Sequence, residues 1–236
     1  MSLSMRVQDL GTGAAVYLPV LAKSATVLGV GWGLFVTLSP PNPAMLGLDL
    51  ARKKDERWTE RLLLGITPLV KSLSWLTGAI ELHMSFYSSN WRVNPYTLTA
   101  FALGVGGGLW RRACYKALGK RFIFNIDGRR HSEHPAERLP LVKVGPYSVV
   151  RHPAYISAVV TWSAFALVFL NSEGSVGGSI AKMKTLHPIL VLLSALLPLP
   201  LIARIPREET SLNDEFGKEW MDYTVRVPWK MVPWVW

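Results

Sequence analysis

The sequence predicts an all-α fold, a polytopic membrane bundle of about five transmembrane helices, and three observations support this. Half of the 236 residues are hydrophobic, and the mean hydropathy of +0.23 is high for a chain surrounded by water. The apolar residues fall in blocks near the roughly 20 residues that cross about 30 Å of hydrocarbon. The Lys and Arg residues behind the net charge of +10 gather between those blocks. In a soluble protein that charge would suggest nucleic acid. Here basic loops against anionic lipid account for it, and no nucleic-acid partner is expected.

The first block, residues 14–38, is interrupted by Lys23, which must snorkel or face the bundle interior, and Pro40, Pro41 and Pro43 end it. The second, 62–87, carries Pro68, Lys71, Ser72, Ser74, Thr77, Glu81 and His83. That is too much polarity for a lipid-facing helix, so one side belongs against a polar pocket or access route. The third, 95–110, starts at Pro95 and offers Gly104, Gly106, Gly107 and Gly108 as a small-residue strip for close helix approach. A phosphate-binding loop would need a following Lys-Ser or Lys-Thr, which is absent. The fourth block is 154–170. The fifth, 186–203, contains Pro188, Pro198 and Pro200, the last two expected to kink the helix just before Arg204.

Loop charge orients these crossings. Most of the 26 Lys and Arg residues lie between the first and second blocks, between Arg111 and Pro153, or after Arg204. The N-terminal tail, the loop around Trp91 and the loop 171–185 hold few. Five crossings put the two sets on opposite sides, with the N-terminus outside and the C-terminus cytosolic. Trp58, Trp91, Trp110 and Trp229 flank the blocks as interfacial anchors. The single cysteine, Cys114, rules out an intrachain disulfide and reads as a packing residue. No removable signal peptide is expected.

Two polar stretches share the cytosolic side. Gly145-Pro146-Tyr147-Ser148-Val149-Val150-Arg151-His152-Pro153-Ala154-Tyr155 is a tight turn running into a helix. The second proline keeps His152 out of helical geometry and suits the first helical turn. Polar side chains and a positive helix end therefore converge on one small volume, although an interfacial loop of snorkelling residues has the same composition. The second stretch, Arg204-Ile205-Pro206-Arg207-Glu208-Glu209, reads as a short amphipathic helix with Pro206 in its first turn and the glutamates near its N-terminus. Leu212, Phe216, Trp220 and Tyr223 then form one apolar face. Glu208 leans to that side and needs a cationic partner: Arg204, Arg207 or a bound cation. Solvated charges on an interfacial helix are the plainer alternative. His131 and His134 sit in a loop-like run with no further ligands to complete a set, so no metal is expected. His83 with Glu81 is either an intramembrane pair or an exposed interfacial group. Neither a nucleophile elbow nor a Walker motif is present.

These two stretches resemble the isoprenylcysteine carboxyl methyltransferases and their small prokaryotic relatives. The first block of likeness is Leu141-Val142-Lys143-Val144-Gly145-Pro146-Tyr147 running into Arg151-His152-Pro153-Ala154-Tyr155, preceded by Leu118-Gly119-Lys120-Arg121-Phe122. The second is Arg204 with Glu208-Glu209, Leu212, Phe216-Gly217, Trp220, Tyr223 and Val227-Pro228. The likeness covers residues 118–236 as a methyltransferase core, leaving 1–117 as three N-terminal helices. It implies methyl transfer from S-adenosylmethionine to the free carboxylate of a C-terminal prenylated cysteine, inside a bundle of the endoplasmic reticulum membrane. On this resemblance Leu139, Leu141, Val142, Tyr147, His152, Pro153, Ala154 and Tyr155 enclose the cofactor, and Glu208 binds it from the tail. Arg204 holds the substrate carboxylate. The partners implied are a prenylated protein or prenylcysteine and the lipid bilayer. Trp220 stands where the family usually has tyrosine, and the basic stretch 129–138 is an unusual insert.

The tail also resembles that of membrane sterol reductases, in Phe216-Gly217-Lys218-Glu219-Trp220, Tyr223, Val227-Pro228-Trp229 and Pro233-Trp234. The alternatives are thus an NADPH-dependent sterol or enone reductase, a methyltransferase for another lipidic acceptor, or a silent scaffold. The Gly145–Tyr155 stretch matches the methyltransferases better.

Overall fold

The first four apolar blocks become helices: among the described residues there are six α-helices, one short 3-10 turn and no strand. The structure, a computed structural model, describes residues 3–39, 58–87, 95–119, 140–170, 188, 189, 192, 196 and 199–235. The helices are α1 Leu3–Leu38, α2 Trp58–Tyr87, α3 Pro95–Leu118, α4 Pro153–Leu170, α5 Leu199–Phe216 and α6 Lys218–Arg226, with the 3-10 turn at Gly145–Ser148. The first three overrun their apolar blocks, α1 and α2 at the start and α3 past Trp110. Apolarity marks where a helix meets lipid or core; backbone hydrogen bonding carries on through the polar residues beyond it.

α3 packs against α1 and α4, while α1 also touches α2 and α4. Glycine makes these approaches close. A Cβ on Gly104 would lie 2.7 Å from Val30, and one on Gly108 would lie 2.7 Å from Trp32. A Cβ on Gly107 would strike the Thr161 hydroxyl, and one on Gly33 the Gly104 carbonyl. Helices that meet backbone to backbone gain dispersion contacts that a side chain would forfeit. Gly106 is a correction to the expected strip, because a Cβ there would meet nothing. Val30, Leu34 and Ala164 form the centre of this bundle, with Leu103, Trp162 and Phe165 against them. Thr37 donates to Thr161 Oγ1 at 3.5 Å and Tyr115 to the Thr37 carbonyl at 3.2 Å. Lys23 is only 3% exposed and so takes the interior course.

The outer surface is apolar in stripes. Leu21, Leu28 and Phe35 recur every seven residues on α1, and Leu69, Leu73, Leu76 and Ile80 line α2. Ile189, Leu192 and Leu196, with Leu199 at the head of α5, repeat the spacing. All are exposed, whereas a water-facing helix places polar side chains there. Among the described residues Val20–Leu38 is long and apolar enough to cross a membrane, and Pro153–Val168 is a shorter apolar helix. The loop around Trp91, the insert 129–138 with His131 and His134, and most of 186–198 lie outside the described residues.

The tail departs from expectation. α5 starts at Leu199 and runs unbroken through Arg204 and Pro206, so Pro206 lies inside a helix rather than in its first turn. Glu208 and Glu209 are consequently mid-helix, beyond the reach of the helix N-terminal charge, which fades within a turn. The helix ends at Gly217, whose φ of +50° suits a residue without Cβ, and α6 begins. The expected apolar face nevertheless survives the break: Leu212, Trp220, Tyr223 and Val227 form one buried cluster, with Leu141 and Phe216 packed on it.

Candidate functional site

The site begins with a turn. Gly145 has φ +63°, Pro146 follows, and the Val149 and Val150 N–H groups both donate to the Pro146 carbonyl. Ser148 Oγ donates to the Gly145 carbonyl at 2.7 Å. This reversal sends Tyr147 inward, where it packs with Cys114 and Val142. Pro153 then opens α4, and the restriction it places on the preceding residue holds His152 outside the helix.

The C-terminal segment is stitched to this loop. Arg151 N–H donates to the Trp229 carbonyl at 2.9 Å and His152 N–H to the Lys230 carbonyl at 2.8 Å. The Arg151 guanidinium reaches the Pro228 carbonyl at 3.2 Å. From α6 the Tyr223 hydroxyl donates to the Tyr147 carbonyl at 2.7 Å. Burial pushes the Tyr223 hydroxyl up to about 12. It therefore remains a donor at neutral pH.

Against this frame α5 presents its carboxylates. The Tyr155 hydroxyl donates to Glu208 Oε2 at 2.6 Å. His152, 4% exposed, sits between the two glutamates, its Nε2 3.4 Å from Glu209 Oε1 and its Nδ1 3.9 Å from Glu208 Oε2. Its ring stacks on that of Tyr155 with centroids 5.7 Å apart. Glu209 also pairs with Arg151 at 3.2 Å and Lys230 at 3.4 Å. Burial alone would raise the Glu209 carboxyl; the hydrogen bond from His152 and the charges of Arg151 and Lys230 outweigh it and hold it below its ordinary value. Arg204 precedes Glu208 by four residues, one helical turn away on the same face. Arg204 and Arg111 both act electrostatically on the Tyr155 hydroxyl. Arg111 Nη1 donates to the Ala154 carbonyl at 2.6 Å, and its guanidinium lies over the Tyr115 ring at 4.8 Å.

Of the residues singled out in the sequence, His152, Tyr155, Arg204 and Glu208 come together here. Val142, Tyr147, Pro153 and Ala154 hold the loop in shape, the last through its carbonyl. Leu141 turns to the α6 cluster instead. Leu139 lies outside the described residues. Sequence reasoning left Glu209, Arg151, Lys230 and Arg111 without roles. Arg111, directly after an apolar block, carried a signal in its position; the other three are joined only by folding. Among the described residues no group of three or more His, Cys, Asp or Glu side chains is placed to hold a metal ion.

Compared with known proteins, the chain is similar to protein-S-isoprenylcysteine O-methyltransferase B of Arabidopsis thaliana, 30% identical over 140 residues. The match takes in 59% of this chain and 59% of that protein, so the chain spans about three fifths of the curated relative it matches. No protein-family model matches, and no solved structure matches.

Proposed function

We propose that this chain is an integral membrane methyltransferase that transfers the methyl group of S-adenosylmethionine to the C-terminal carboxylate of a prenylated cysteine. The observation that carries the reading is the meeting of Arg204 and Glu208 on α5 with His152 and Tyr155 of the loop. The curated relative and the two sequence blocks point to the same activity. The exposed apolar stripes and the loop charges support about five crossings and a cytosolic C-terminus, and the family resemblance supports residence in the endoplasmic reticulum membrane.

The donor set suits the cofactor. S-adenosylmethionine carries an ammonium and a sulfonium beside its α-carboxylate, and Glu208 offers a partly buried carboxylate to the cationic groups. Tyr155 donates to that carboxylate and fixes its orientation. When bound, the cofactor supplies an electrophilic methyl group. Arg204, one turn away, grips the carboxylate of the acceptor. Such an acid is ionised at neutral pH, so the chain needs to position it and requires no general base. Surrounding apolar groups strip water from that carboxylate, and His152 and Tyr155 close the cofactor side. The prenyl tail stays in lipid or between helices, its burial contributing about 0.8 kcal/mol per CH₂.

The test is incubation of membranes containing the chain with labelled S-adenosylmethionine and an S-farnesylcysteine derivative. A base-labile methyl ester is expected. Oxidation of NADPH against a sterol or enone, with no ester formed, would overturn the reading in favour of a reductase.

A further inference from the structure

The polar side of α2, anticipated in the sequence, has no part in the site above. It meets α1 along a shallow groove lined by Gly31, Leu34, Phe35 and Leu38 of α1 and by Lys71, Ser74 and Trp75 of α2. The Lys71 ammonium donates to Ser39 Oγ at 2.8 Å and lies 4.4 Å over the Phe35 ring. Phe35 and Trp75 meet edge to face with centroids 6.2 Å apart. Among the described residues no carboxylate pairs with Lys71, so its charge faces a hydroxyl and an aromatic ring alone. Depth is the second observation. Ser39 directly follows Leu38, the last residue of the apolar span, so the ammonium stands where hydrocarbon gives way to headgroups. The groove lies on the same α1–α2 side as the exposed stripes Leu28–Phe35 and Leu69–Leu76, which gives it an opening to lipid.

We propose that this groove is a binding site for one anionic glycerophospholipid, its phosphate on Lys71 and Ser39 and one acyl chain along Leu34, Phe35 and Trp75. A cation at headgroup depth above an apolar slot matches both halves of such a lipid, and basic pockets between membrane helices hold anionic headgroups by this chemistry. A zwitterionic headgroup would bring its own cation against Lys71. The inference rests on the membrane reading above and is independent of methyl transfer.

The full chain is reconstituted in nanodiscs of equal parts phosphatidylcholine and phosphatidylglycerol, released, and examined by native mass spectrometry for retained lipid. Incorporation into discs reports the membrane reading separately, and the methyl-ester assay reports the proposed activity. Phosphatidylglycerol should be retained over phosphatidylcholine by about fivefold, as expected for one basic residue at an anionic surface. Lys71→Gln should abolish the preference and Lys71→Arg keep it. Gly31→Leu fills the slot at a position where a Cβ meets nothing, so it should fold and lose the lipid with Lys71 intact. Equal retention of the two lipids by the unaltered chain, or a preference that survives both Lys71→Gln and Gly31→Leu, would overturn the proposal. So would displacement of the phosphatidylglycerol by S-farnesylcysteine in one-to-one ratio, which would make the groove the acceptor's seat.

Discussion

Two residues one turn apart on α5 divide the proposed work, and they separate experimentally. Arg204→Ala should abolish methyl transfer while leaving the Kd for S-adenosylmethionine within about twofold by calorimetry, because Arg204 is assigned to the acceptor. Weakened cofactor binding with normal turnover at saturating cofactor and acceptor would remove that assignment. Glu208→Ala should instead weaken cofactor binding by on the order of tenfold or more, the scale of a lost hydrogen bond to a charged group. Glu209 has a different task. It accepts from His152 and pairs with Arg151 and Lys230, which ties loop, α5 and tail together. Its carboxyl is held below the ordinary value, so its contribution is present above an unfolded value of about 4.3 and disappears as pH falls through the lower folded value. Glu209→Gln should therefore cost ~1 kcal/mol at pH 7, read as a lower Tm. That gap should close in acid, and a gap constant with pH would show that the carboxylate charge plays no part.

At the scale of elements, the C-terminal pair α5–α6 is held mainly by apolar burial. Trp220 and Tyr223 are almost fully buried, and each ring removes on the order of 200 Å² from water, worth ~5 kcal/mol. Each ion pair at Glu209 contributes ~1 kcal/mol or less, so the rings provide the cohesion and the charges the orientation. Gly217 makes the turn between the helices. Gly217→Ala meets no neighbour, so its cost is the backbone penalty alone, about 1–2 kcal/mol, visible as a Tm decrease without change in bound cofactor stoichiometry. Tyr223 couples α6 to the loop through the Tyr147 carbonyl. Its hydroxyl is raised from about 10 unfolded to about 12 folded, so its share of stability is complete below pH 10 and fades as pH climbs from there to 12. Tyr223→Phe should destabilise by about 1–3 kcal/mol through the unpaired carbonyl and should show a shallower alkaline loss than the unaltered chain.

Across the whole molecule, the seam of α1, α3 and α4 sets the height at which everything else happens. Tyr115 on the Thr37 carbonyl and Arg111 on the Ala154 carbonyl bring the end of the apolar span level with the start of α4 and hence with the candidate site. Lys71 with Ser39 lies at that same level. The glycines of the seam are therefore unequal. Gly107→Leu should disrupt the bundle, lowering Tm in detergent and abolishing activity, since its Cβ would collide with Thr161. Gly106→Leu should be tolerated with activity retained, because it points to open space. Comparable losses from both would mean that helix flexibility, and not close approach, is what glycine provides here.

The sequence by itself determined that the chain is helical and where its two polar stretches lie, because apolar runs, proline positions and a loop motif are properties of neighbouring residues. The family resemblance put His152, Tyr155, Arg204 and Glu208 in one group, and the apolar run left Lys23 a choice that included the interior. The sequence did not show that Pro206 lies inside α5: Pro206 looked like a helix start, yet the chain is already helical at Leu199 and carries the helix past it. Nor did it separate Gly106 from Gly107, since a strip of glycines shows no direction until partner helices are in place. Only the tertiary structure decided that Glu209 gathers Arg151, His152 and Lys230, and that Lys71 meets Ser39 across two helices. Those contacts join residues far apart along the chain, and electrostatics acts through distance in space, which no local pattern encodes.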